Sequence, residues 1–140
     1  MCGSMDELVR RVEEGIRAQN FAGLLGLQVE EAEEGRVVIS CRKRPELLQQ
    51  TGLLHGGATG AICEAAASYA ALTVLPEGHS VLGVEYKINL LRPVTADKVL
   101  AVARVIKKGR QLIIVDVEVF NGGSDKLAAK MIFTGTPTAG

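Results

Sequence analysis

The sequence predicts an α+β domain: an antiparallel β-sheet wrapped around one long central α-helix, with a short N-terminal helix. Three observations carry that prediction. Residues 56–75 are rich in Ala and Gly and hold one charged residue, Glu64, so a helix there is apolar all round and belongs inside the protein. Two strand-like stretches precede this helix and four follow it, divided by turn-forming residues. A charged stretch with apolar residues at helical spacing opens the chain.

The opening helix is expected over residues 6–19, where Leu8, Val9, Val12 and Ile16 recur at helical spacing with charges between them. Residues 1–4 are set aside as a tag remnant or disordered start, because Met5 offers a natural beginning; residues 5–140 are read as one domain. Phe21, Leu24 and Leu25 then form a short apolar connector rich in Gly. Strands are expected over residues 27–33 and 36–42, with Glu34-Gly35 as the hairpin turn. In the second strand Val37, Ile39 and Cys41 alternate with Arg36, Val38, Ser40 and Arg42. A polar loop with Pro45, Gln49 and Gly52 leads to the central helix. The remaining strands are expected over residues 80–91, 98–107, 111–121 and 126–134. Arg92-Pro93, Lys108-Gly109-Arg110 and Gly122-Gly123 separate them.

Composition removes several functions. Sixteen Lys plus Arg balance sixteen Asp plus Glu, so the chain lacks the excess base that a nucleic-acid binder needs. An aromatic content of 4% without Trp provides no platform for stacking bases. Neutrality also leaves little charge repulsion between copies, which favours self-association. Cys2, Cys41 and Cys63 form no CxxC or Cys/His cluster, so no metal site is expected, and reduced thiols fit a cytoplasmic protein. The charged start, from Asp6 to Glu14, does not read as a cleavable signal. Residues 56–75 are long enough to cross a membrane, but their Ala and Gly gain little from lipid and Glu64 is costly there.

Glu64 is the most informative residue. A carboxylate on a buried helix costs several kcal/mol unless it is paired or used. One use is as an ion-pair partner in a subunit interface; the other is as a general base or nucleophile in a cleft. Ser68 follows by four residues and lies within hydrogen-bond reach on the same face. Gly57, Gly60 and Ala61 precede Glu64 on that face and leave a smooth floor. His55-Gly56-Gly57 leads into the helix, whose first amides can polarise a carbonyl. Gln49 could hold a water through its amide. The turn of Lys107, Lys108, Gly109 and Arg110 is either a solvated hairpin or a clamp for phosphates.

The run Gln49-Gln50-Thr51-Gly52-Leu53-Leu54-His55-Gly56-Gly57-Ala58, followed by Glu64 and Ser68, resembles the hotdog-fold acyl-CoA thioesterases. Within them it is most similar to the PaaI-type, 4-hydroxybenzoyl-CoA and 1,4-dihydroxy-2-naphthoyl-CoA branch. Val81-Leu82-Gly83-Val84-Glu85-Tyr86 and Leu91-Arg92-Pro93 extend the resemblance, which runs from about Phe21 to the C-terminus. The resemblance implies a hotdog fold and hydrolysis of acyl-CoA to acid and CoA with no metal or redox cofactor. It implies Glu64 as the catalytic carboxylate and the Gly56 N–H as the group polarising the thioester carbonyl. It further implies Gln49 near the reacting group or water, Ser68 positioning the acid or water, and His55 near the thioester sulfur. Gly57 and Gly83 are taken as substrate-binding, with Lys108, Gly109 and Arg110 as the phosphate clamp. Some naphthoyl-CoA enzymes carry a substrate-facing His where this chain has Leu90, which favours a broader or more apolar acyl group. Other readings on the same fold are a non-catalytic acyl-CoA binding module, a hydratase or dehydratase, and a purely structural role.

Gly56 and Glu64 stand eight residues apart, about 12 Å along a helix axis. One thioester carbon cannot be close to both in one chain. A two-fold dimer with antiparallel central helices joins each helix start to the other copy's Glu64, and such dimers are expected alone or paired as tetramers.

Overall fold

A computed structural model describes residues 4–139. Helix α1 (Met5–Ala18) buries the stripe of Leu8, Val12 and Ile16. Its first turn is capped by Ser4, whose hydroxyl accepts the Glu7 N–H at 3.2 Å. Ser4, set aside with the residues before it, is thus part of the fold; residues 1–3 lie outside the described residues. Where the sequence suggests an irregular connector, a second helix forms, α2 (Asn20–Leu25). Six residues with an internal Gly are too short to display a helical period, and tertiary packing of Ala22 and Leu25 sustains the helix.

Strands β1 (Gln28–Glu33) and β2 (Arg36–Arg42) form the expected hairpin, and Gly35 takes a φ of +81° at its turn. Val37 to Cys41 are all buried, so β2 is covered on both faces and not on one alone. After a 3₁₀ turn at Pro45–Leu47 comes the central helix α3 (Gly56–Thr73), followed by β3 (Ser80–Leu90), β4 (Lys98–Lys108), β5 (Ile113–Asn121) and β6 (Leu127–Thr138). Strand β6 runs past residue 134 through Gly135 and Pro137, two residues that normally break strands. Gly135 is required there: a Cβ on it would lie 2.8 Å from both Phe133 and Val81.

The six strands form one antiparallel sheet in the order β1-β2-β4-β5-β6-β3. Helix α3 crosses it from the β3 edge to the β1–β2 turn. At its start Leu90 lies against Gly56; near its end the Thr73 hydroxyl accepts the Gly35 N–H at 2.8 Å. The core is the meeting of Ile62, Ala66 and Ala70 with inward residues such as Ala101, Val117 and Phe133. Small side chains on the helix let it lie close to the sheet.

Strand β3 is an edge of 11 residues, paired only with β6, and most of it is exposed. Its pairing slips between Gly83 and Glu85, a β-bulge. In a regular strand Gly83 and Tyr86 face opposite sides. The inserted residue turns both towards α3. A Cβ on Gly83 would lie 3.4 Å from Glu64 Oε2, and the Tyr86 hydroxyl lies 3.9 Å from the Cβ position of Gly60. No helix among the described residues is long and apolar enough to cross a membrane.

Candidate active site

The residues singled out in the sequence fall into three groups. The first surrounds the start of α3. His55 is its N-cap, in extended conformation, and its Nδ1 accepts the Gly57 N–H at 2.8 Å. The Ala58 and Thr59 amides both donate to the His55 carbonyl. Of the first four amides of the helix, the Gly56 N–H alone lacks a partner among the described residues. The helix start therefore offers one free donor at the positive end of the dipole, not a cluster. Gly57 contributes none, because the imidazole takes its amide.

Gln49 stands beside this donor. Its side-chain Oε1 accepts both the backbone N–H and the hydroxyl of Thr51. That fixes the amide orientation and leaves the NH₂ group free to donate. Gln49, Gly56 and Leu90 line one cavity of about 310 Å³ that reaches Arg92 and Pro93. Leu90 forms its apolar wall: the leucine Cδ1 is 2.8 Å from where a Gly56 Cβ would stand. His55 and Gly57 face a different cavity, bounded by Phe21, Leu24 and Leu48.

The second group is Glu64 with Ser68 and Gly83. The Ser68 hydroxyl donates to Glu64 Oε2 at 3.2 Å, the contact the four-residue spacing implies. Glu64 is half-buried and has no cationic partner within ion-pair distance among the described residues. It lines a cavity of about 210 Å³ with Gly83, Glu85, Tyr86 and Phe133, at the open β3 edge. Cys63, its neighbour in sequence, points into the core, where burial pushes the thiol up to about 12. Within one chain Glu64 and Gly56 line separate cavities.

The third group is the β4–β5 turn. Lys108 and Arg110 are exposed, and the Gly109 N–H donates to the Leu112 carbonyl at 2.8 Å. Lys108 pairs with Ile113, Ile113 with Gly135 and Gly135 with Gly83, so turn and Glu64 share one row of the sheet. Three strand spacings, about 14 Å, separate Lys108 from the β3 edge. Gly109, Arg110 and Leu112 border an open cavity of about 560 Å³. Among the described residues no group of three His, Cys, Asp or Glu could hold a metal ion.

Tyr86 was not among the residues singled out. Counting alternate positions along β3 places it on the face opposite Gly83, and only the bulge brings it round. Gly83 is the signal that could have found it, since a lone glycine inside a strand pattern marks a bulge or a close approach.

Comparison with known proteins agrees with the fold. Residues 51–128 match the model of the thioesterase superfamily, 4HBT. A Saccharolobus solfataricus protein whose name proposes an esterase is 30% identical over 126 residues, covering 90% of this chain and 83% of that protein. The proofreading thioesterase EntH of Klebsiella pneumoniae is 41% identical over 63 residues, 45% of this chain and 46% of that protein. A thioesterase family protein from Silicibacter pomeroyi superposes with a TM-score of 0.88 at 29% identity, covering 95% of this chain and 99% of that one. The chain belongs to the 4HBT thioesterase superfamily, and it is a hydrolase of the hotdog fold.

Proposed function

We propose that this protein hydrolyses acyl-CoA thioesters to the free acid and CoA, at sites shared between two copies of the chain. The observation that carries this reading is the pairing of one unpartnered amide, Gly56 N–H, with one unpaired carboxylate, Glu64, at separate points of one helix face beside an uncovered strand. The carbonyl oxygen accepts from Gly56 N–H, and the Gln49 NH₂ donates to the carbonyl or to the water. Glu64, held by Ser68, either takes a proton from the attacking water or attacks the carbonyl carbon itself to give a mixed anhydride. The C–S bond breaks, and the thiolate leaves on the side of His55; on the anhydride route a water then cleaves the anhydride, releasing the acid and restoring Glu64. Lys108 and Arg110 hold CoA phosphates. Nothing in this scheme calls for a metal or redox cofactor.

Unpaired edge strands of this length invite pairing. Leu82, Val84, Tyr86 and Leu90 give this edge an exposed apolar character. Glu64 sits at Gly83 and Gly56 sits at Leu90. Antiparallel pairing of two β3 strands with Gly83 opposite Leu90 of the second copy therefore brings each Glu64 to the other copy's Gly56. Two such dimers can pair further as a tetramer.

The test is thiol release from a panel of acyl-CoAs by the wild type and Glu64→Ala. Turnover by the wild type with a loss of about a thousandfold, ~4 kcal/mol, in the variant is expected. Binding of acyl-CoA without turnover would instead identify a binding module. Ala fits this Ala-rich helix, so the variant should melt as the wild type does.

A further inference from the structure

We infer that Tyr86 is the end wall of the acyl site and sets the length of acyl group the protein accepts. This rests on the reading that acyl-CoA is the ligand. The inward residues of β3 run Gly83, Tyr86, Ile88, Leu90; the helix face beneath them runs Glu64, Gly60, Gly56. Glu64 lies under Gly83 and Gly56 under Leu90. Tyr86 stands between them with its hydroxyl 3.9 Å from the Cβ position of Gly60, midway along the same face. Gly60 has no side chain to block the floor; the Tyr86 ring lines the Glu64 cavity and stands over Gly60, on the way from that cavity to the Gly56 end of the helix face.

The bulge at Val84 gives this ring its place. β-Bulges near active sites re-aim a side chain, and here the re-aimed side chain is the largest on the inner face of the strand. Tyr86 keeps 49% exposure in the single chain and no hydrogen bond to its hydroxyl among the described residues, so it is not held there for a structural bond. With two β3 strands paired, Tyr86 of each copy lies beside the symmetry axis, between the two sites. An acyl group whose carbonyl rests on Gly56 N–H extends along the glycine floor towards Gly60 and meets the ring. Removing the ring opens the way from the Gly56 end towards the Glu64 cavity and admits longer chains.

The experiment measures binding of non-hydrolysable S-alkyl-CoA thioethers of increasing length to the wild type, Tyr86→Ala and Tyr86→Phe, alongside turnover of the matching thioesters. In the wild type, affinity should rise about fourfold per methylene up to a limit and then fall. Tyr86→Ala should move that limit to longer chains and gain about tenfold or more on the longest ligand. Tyr86→Phe should keep the wild-type limit, since the ring is the wall. An unchanged limit in Tyr86→Ala overturns the inference. So does a loss of turnover at every chain length in Tyr86→Phe, which would give the hydroxyl a chemical role in place of a steric one. Length-limited binding that depends on Tyr86, without any turnover, would leave this inference standing and remove the hydrolytic reading; no binding of any thioether would remove both.

Discussion

The Nδ1 of His55 accepts the backbone N–H of Gly57 at 2.8 Å. One contact fixes two properties. It makes His55 the cap of α3, and it commits Nδ1 as the acceptor, so Nε2 carries the proton. The imidazole therefore meets its surroundings as a hydrogen-bond donor.

Two substitutions separate these roles. His55→Ala removes cap and donor; it should cost about 1 kcal/mol of stability as well as activity. His55→Asn supplies a good capping side chain without the imidazole N–H. It should melt close to the wild type yet hydrolyse acyl-CoA poorly. Thermal melts and kcat measured on the same preparations decide this. Full turnover in His55→Asn would leave His55 as a cap and nothing more.

Much of this arrangement is legible before the fold is known, because it is local. Helix geometry alone puts Ser68 on Glu64, and the 3.2 Å bond follows. The apolar run around Glu64 identifies the central helix, and Glu34-Gly35 marks its hairpin. What stays hidden depends on distant or irregular pairing. Nothing local says that β3 lies beside β6 at the far edge of the sheet. The slip at Val84 reverses the inward face of β3 from Tyr86 onward, so simple alternation misplaces that residue. Helix α2 is too short for periodicity to reveal. The competition for amides at the start of α3, which among the described residues leaves Gly56 without a partner, becomes visible once the His55 ring has a position.

The β4–β5 turn gives a prediction that separates binding from chemistry. Lys108 is about 14 Å from the β3 edge by strand spacing, too far to touch a thioester carbonyl, and Arg110 follows it in the same turn. Charge reversal, Lys108→Glu or Arg110→Glu, should raise KM for CoA thioesters about fivefold, the scale of an exposed ion pair. The effect on kcat should be smaller. A short thioester lacking the nucleotide should show no change in KM. Identical kinetics on CoA substrates would return the turn to an ordinary solvated hairpin.

Acid stability should depend on Glu30. The Ser40 hydroxyl donates to its carboxylate at 2.6 Å, and Lys98 lies 3.1 Å away. These contacts, the Ser40 bond first, hold the Glu30 carboxyl below its ordinary 4.5. A lowered folded-state value stabilises the fold above the ordinary value, and that contribution is lost as pH falls through the lowered one. The pair is partly exposed, so the effect is less than about 1 kcal/mol. Melting curves of the wild type and Ser40→Ala should therefore differ near neutrality and draw together in acid. A constant offset at every pH would show that the serine stabilises by packing instead.

The shared site makes the strictest prediction. Gly56 is the first residue of α3, a position where proline is well tolerated. His55 before it has φ −62° and ψ 136°, a conformation that a following proline accepts. Gly56→Pro thus removes the one free N–H of the helix start without demanding a new backbone. The ring would press on Leu90, whose Cδ1 is 2.8 Å from the Cβ position, so the substitution is made together with Leu90→Ala. This chain should fold and be inactive, as should a chain carrying Glu64→Ala. In a hybrid dimer one site collects both defects. The other joins an intact Gly56, with the Leu90 of its own chain, to an intact Glu64. Mixing the two inactive chains under conditions that exchange subunits should restore up to about half of the activity per hybrid by symmetry. Hybrids can be isolated with two different affinity tags, so their formation is measured separately from their turnover. Purified hybrids without activity, or a monomer with full activity, would place Gly56 and Glu64 in unrelated sites. Activity confined to the hybrid would require that each reacting thioester lie between two chains.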